Sequence, residues 1–317
     1  MNESLMDLEK CIENSVNYLN SEAAIQSIER DAYWPKWDSP WWHMSTLFEM
    51  GQVNLIPEEV IDKLIHQMNA QYLRFFPIYE DEVDPEINPY TKIPCHCQLG
   101  NMYQILRSLR SDIDTQITWI RPWFLKYQLP DGGLNCEDEA YRHSKKSSIA
   151  SSLPVFEAMM LCAEQGSLSE AEDLFLDRAA NYVIDHHLIY KTTGELMDSD
   201  FLMLQFPRYY SYDLLRGLTF LVRWKAYRKT NAADNVIREG FDLLQEKLSK
   251  EEQPQLRVER SDLSKTRTRN LLSNGEWHYG EPADFYPLLK ELNTVGRVSP
   301  FLTREYNRAK EQFESLK

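Results

Sequence analysis

Four residues in one short stretch carry the clearest chemical suggestion in this chain: Tyr209, Tyr210, Tyr212 and Asp213. On a helix, residues three apart are neighbours, so Tyr209 shares a face with Tyr212, and Tyr210 with Asp213. Such a set offers ring faces to a cation or a sugar, with one carboxyl beneath them as an acid. A second group is Glu137, Asp138 and Glu139, followed by His143 and the pair Lys145-Lys146. An acid there, once desolvated, would serve as a proton donor. Asp213, Glu139 and His143 are therefore the catalytic candidates. The same acids equally read as helix-start residues that cap and complement the dipole. The lysine pair would suit a phosphate at a helix start, and it also reads as solvated charge. A third group, Cys95-His96-Cys97 with Cys136 and His143, offers soft ligands suited to zinc. Its Cys-x-Cys spacing departs from that of structural zinc sites, so no metal is assigned. Asp185-His186-His187 closes a helix, where the dipole already favours cationic histidine.

These groups need elements to position them, and the apolar spacing predicts helices almost throughout. Leu5, Leu8, Ile12, Val16 and Leu19 recur at helical spacing in a first helix over 4–28. Further helices are expected over 41–51, 57–76, 95–109, 112–127, 144–165, 168–188, 209–228, 232–248 and 300–316. Ser169 is the expected N-cap of the 168–188 helix, and Pro154 is expected to kink the 144–165 helix. The proline-rich, acidic segment 77–94 reads as a loop, and the charged stretch 250–272 as a surface loop. No alternating run with hairpin turns predicts a substantial sheet. Helix pairs starting near Trp41, Cys95, Ser144 and Tyr209 suggest a repeat, with glycine turns DGGLNC, TGELMD and NGEWHY after three of them. The expectation is one domain over 1–317, with 1–30 as an N-terminal helix.

Bulk composition narrows the partners. The 317 residues include 49 acidic and 35 basic side chains, a net charge of −14, and 43% are hydrophobic. The charge argues against nucleic acid and against an anionic membrane surface. No apolar run approaches the roughly 20 residues of a membrane span, and the acidic start MNESLMDLEK is not a secretory signal. Five cysteines suggest reduced thiols and a cytoplasmic setting. Composition names no cofactor and leaves the oligomeric state open.

The turn Gln128-Leu-Pro-Asp-Gly-Gly133 resembles the QxxDGGW turn of squalene-hopene cyclases and protein prenyltransferase β subunits, and Asn274-Gly-Glu-Trp277 resembles its DGxW version. The segment 207–221, PRYYSYDLLRGLTFL, resembles a stretch in bacterial members of that group. The resemblance implies an all-α fold, an α/α toroid with two concentric rings of helices. It also implies that the loops before the inner helices converge on one mouth of a central cavity. Trp41, Trp42, His96, Tyr209, Tyr210, Tyr212 and Trp277 would then bind a small hydrophobic, isoprenoid-like ligand. Neither the DxDD acid motif nor the DDxxD motif of that group occurs here, so catalysis is not implied. Two alternatives stay open. One is a carbohydrate hydrolase or lyase using Asp200, Asp213 and Asp284. The other is a non-catalytic binding or scaffold protein.

Overall fold

The computed structural model describes residues 2–33, 39–70, 96–137, 139–261, 267–273, 277–282 and 285–316. The expected loop over 77–94, and with it Cys95, Asp138 and Asp284, lies outside the described residues. What is described is mostly helical, as the apolar spacing requires. The first helix divides into α1 (Asn2–Leu19) and α2 (Glu22–Arg30). Ser21 makes the break, because its side chain accepts the Ala24 N–H as an N-cap. Then come α3 (Pro40–Glu49), α4 (Glu58–Ala70) and α5 (His96–Leu109). The expected 112–127 helix is two short pieces, α6 (Ile113–Gln116) and α7 (Ile120–Lys126). A π-helical turn, Ala140–Ser144, precedes α8 (Ile149–Glu164) and α9 (Glu170–Asp185). Ser169 does cap α9, in a reciprocal capping box with Glu172. After α10 (Leu214–Arg228) and α11 (Asp234–Gln245) come strands β1 (Arg267–Leu271) and β2 (Trp277–Pro282). Helices α12 (Pro287–Leu292) and α13 (Pro300–Ser315) complete the chain.

Two expectations need correction. Tyr209, Tyr210 and Tyr212 do not share helical faces, because α10 starts only after Asp213 caps it. The stretch 250–272 is not simply a surface loop. Leu256 and Val258, two of the apolar residues in that charged stretch, are buried. Arg257 bridges to Val298, and β1 pairs antiparallel with β2.

The core is built from helices lying side by side. The packing of α5 on α8 is the most intimate, and Gly100 explains it. A side chain there would meet the Pro154–Val155 backbone at 2.5 Å, so only glycine lets the two helices approach so closely. Successive contacts give the directions. Gln104 reaches Pro154 O at 3.0 Å, and Arg107 reaches Gln165 at 2.5 Å, so α5 and α8 run parallel. Glu157 pairs with Arg216 and Glu164 with Arg223, so α8 and α10 run parallel too. Thr219 contacts Glu305 and Lys225 lies over Phe313, extending the same sense to α13. The last residue of α3, Glu49, reaches the same end as Glu164. Helices α9 and α11 pack against this row.

Candidate functional site

The segment 204–213, LQFPRYYSYD, is the hub of the row. It contains the cis peptide Phe206–Pro207 and a left-handed residue, Tyr209, with φ of 56°. That conformation is costly for a side chain as large as tyrosine, and the surroundings hold it on both sides. Glu49, at the end of α3, accepts the Arg208 N–H at 2.8 Å and the Tyr209 N–H at 2.5 Å. On the other side Asn101 of α5 and Arg216 of α10 donate to the Tyr209 carbonyl at 3.3 and 2.8 Å.

Around this loop lies a buried ionic network. The Arg208 guanidinium pairs with Asp213 at 3.2 Å and with Glu305 of α13, and it lies 4.0 Å from Glu49. Arg216 forms a two-pronged pair with Glu157, at 2.9 and 2.7 Å. Burial pushes the Glu49 carboxyl above the usual carboxylate range, against the pull of Arg208 and Arg216. Burial opposes ionisation of Glu157 as well, but the Arg216 charge and hydrogen bonds win and hold it below that range. Arg208 stays charged, because three carboxylates surround it.

The network has an outlet. Glu49 and Glu305 line a cleft of about 660 Å³ together with Glu164, Arg223, Arg304 and Arg308. Every acid in it is engaged. Glu49 takes two backbone N–H groups. Glu305 takes Arg208 and the Thr219 hydroxyl. Glu164 takes Arg223 at 2.8 Å through both oxygens. Arg304 and Arg308 differ: one turn apart on α13, both exposed, they form no ion pair among the described residues. What the cleft holds in reserve is therefore donors and positive charge, not a free carboxylate.

The sequence-based candidates fall into separate places. Trp41 and Trp42 are fully buried and stand edge-on to each other at 4.6 Å, with Tyr209 3.9 Å from Trp42 and Tyr210 stacked 6.3 Å from Trp41. These four rings form one packed cluster with Thr46, whose hydroxyl meets those of Tyr209 and Tyr286. Tyr212 lies apart, its hydroxyl donating to Leu188 O at 2.7 Å. His96 is buried elsewhere, with Tyr127 and Tyr141 5.7 and 5.9 Å from its ring. Trp277 opens β2 opposite Leu271. Asp213 is fully buried and capped onto the Arg216 N–H at 2.9 Å. Glu139 and His143 are 3.9 Å apart and both well exposed. Asp200 sits on the surface, 3.6 Å from Arg260. Among the described residues no group of His, Cys, Asp and Glu is placed to hold a metal ion.

The turn at Asp131 is a clip. Its carboxylate takes the Gly133 N–H at 3.3 Å, the Ser147 N–H at 2.8 Å and the Ser147 hydroxyl at 2.5 Å. Gly132 has φ of 98° and lies against Arg178 O, where a Cβ would come within 2.3 Å.

Sequence reasoning missed Glu49, Arg208, Glu157, Arg216 and Glu305. A signal existed for two of them. Glu157 stands alone inside the apolar run LPVFEAMML, and Arg216 inside DLLRGLTFLV. A lone charge in an apolar helical run is buried only when paired. Comparison of the chain with protein-family models, with curated proteins and with solved structures returns no match.

Proposed function

We propose that this chain binds a small polar ligand carrying a carboxylate or phosphate, in the cleft between α3, α8, α10 and α13. The observation that carries the reading is the pair Arg304–Arg308. Two guanidinium groups with no ion pair among the described residues flank a hollow of about 660 Å³ in a chain of net charge −14. Guanidinium forks match carboxylate and phosphate oxygens in pairs, which favours such a ligand. Each acid in the cleft is already engaged, so the arrangement suits binding better than hydrolysis by two free carboxylates. An isoprenoid ligand has less support: Trp41, Trp42 and Tyr209 spend their surface on one another.

The architecture we propose for this function is part of an α/α toroid of the cyclase and prenyltransferase kind. Support comes from the parallel row α5, α8, α10 and α13, from α3 reaching the same end, and from the glycine turn at Asp131. In that reading the segment 204–213 fills the axis, and the cleft is the open end of the ring.

The test is a thermal-shift screen of small carboxylates and phosphate esters against the wild type and the Arg304→Ala/Arg308→Ala double variant. A true ligand at one hundred times its Kd stabilises the wild type by about 2.7 kcal/mol. The double variant should keep its unliganded Tm and lose that response. A polyprenyl compound retained from a lipid extract, with no response to any anion, would overturn the polar reading in favour of the isoprenoid one.

A further inference from the structure

Cys97 and Cys136 come from distant parts of the sequence and meet at the start of α5. Their sulfurs are 3.6 Å apart, with the Cys136 thiol donating to the Cys97 sulfur. Cys97 is buried in the first turn of α5, whereas Cys136 is half-buried in the segment that leaves the Asp131 clip. Contacts of neighbouring residues order the segment around Cys136 and bring it against the head of α5. On one side Asp131 ties the clip to Ser147. On the other, the rings of His96 and Tyr141 lie 5.9 Å apart, and the Tyr141 hydroxyl binds the Asn135 backbone at 3.0 and 3.2 Å. The 3.6 Å between the sulfurs compares with the roughly 2.05 Å of a disulfide, so the two thiols are within a short approach of bonding. The other described thiols differ. Cys162 is fully buried and engaged with the Tyr103 hydroxyl at 3.3 Å, and Cys11 is buried on α1.

We propose that Cys97 and Cys136 are a reversible thiol–disulfide site, oxidised by low-molecular-weight disulfides of the glutathione type. The order of attack follows from exposure. Cys136, the accessible member, attacks the small disulfide as thiolate, forms a mixed disulfide and releases one small thiolate, which takes up a proton. Cys97, adjacent and shielded, then attacks the Cys136 sulfur as thiolate and expels the second small thiolate, which is also protonated. Two protein thiols lose two electrons and two protons, and one small disulfide becomes two small thiols. The new bond closes a loop between residues 97 and 136 and fixes the Asp131 clip to the head of α5. It leaves the Arg304–Arg308 cleft untouched, so it stands independently of the ligand reading above.

The experiment is oxidation of the full chain with oxidised glutathione, followed by alkylation, thiol counting and peptide mapping. Expected are the loss of two thiols, a Cys97–Cys136 cross-linked peptide, and a Tm raised by about 5 °C that dithiothreitol reverses. The Cys97→Ser variant should stop at a stable mixed disulfide on Cys136. The Cys136→Ser variant should leave Cys97 unmodified, and Cys162→Ser should behave as the wild type. A cross-link that joins Cys95 to either cysteine, or retention of all thiols by natively folded protein, would overturn the proposal.

Discussion

The two sides of the segment 204–213 solve the same problem by opposite means. On one side Tyr209 and Tyr210 pack with Trp41 and Trp42, and specificity comes from ring shape. On the other side Arg208 gathers Glu49, Asp213 and Glu305, and specificity comes from paired charge. On the aromatic side the rings contact one another and the hydroxyls share bonds among Thr46, Tyr209 and Tyr286. The charged side stops at a cleft that Arg304 and Arg308 also line. Packing of rings ends when space is filled. A network of charges ends only when charges match, and at the cleft Arg304 and Arg308 form no ion pair among the described residues.

This contrast can be broken most strongly at Arg208. Replacing it with Ala leaves Asp213 buried, and Glu49 and Glu305 partly buried, around an absent cation, a situation that costs about 4 kcal/mol in comparable buried pairs. Urea unfolding should show that loss, with partial recovery when Glu305→Gln is added. Full stability in the single variant would mean that the charges are solvated and the network is not a structural unit.

A smaller effect separates the two sides by pH. His43 lies against the rings of Tyr18 and Tyr286, at 4.4 and 3.9 Å. Burial lowers its pKa from 6.5 to about 3. The unfolded chain therefore takes up a proton near 6.5 that the folded chain refuses. Stability from neutral His43 is present above pH 6.5 and is lost as pH falls from there towards 3. Between pH 7.5 and 5 the loss is about 2 kcal/mol, and the His43→Phe variant should not show it. Glu49 acts in the opposite sense, since its raised pKa lets the folded chain bind a proton first and gain stability as pH falls. The difference between wild type and His43→Phe isolates the aromatic side from that gain. Equal pH profiles for the two proteins would show that His43 is open to water.

The mildest change is Thr46→Val. It removes the hydroxyl bonded to Tyr209 and Tyr286 at 3.0 and 2.6 Å, while those two hydroxyls still bond each other at 2.8 Å. The expected cost is about 1 kcal/mol, read from thermal unfolding. A loss as large as that of Arg208→Ala would make the aromatic side a polar network as well.

Much of this arrangement was legible before any coordinates. Helical spacing placed α4, α5, α9, α10 and α13 to within a few residues at most boundaries, and Ser169 announced its capping box. The Asp131-Gly132 stretch reads as a glycine turn, and Gly132 has the positive φ, 98°, of one. For the tyrosine stretch the observed geometry differs from the helical expectation. Spacing of three suggests helical faces, but α10 begins only after Asp213, so the tyrosines lie on an irregular loop. Local propensity could not foresee this, because Glu49, which holds that loop, lies some 160 positions away.

The sequence by itself determined what is local and periodic: the helices, their caps, the glycine turn and the acidic balance. Those depend on neighbours within a turn or two, where spacing speaks directly. Only the tertiary structure decided which charges are buried, which rings are core, and where a hollow remains. Arg208 is an ordinary surface residue by composition, and becomes a hub because α3, α10 and α13 bring three carboxylates to it. Pairing across such distances depends on helix directions that no short window of residues encodes, so the charged cleft became visible only when the helices were laid side by side.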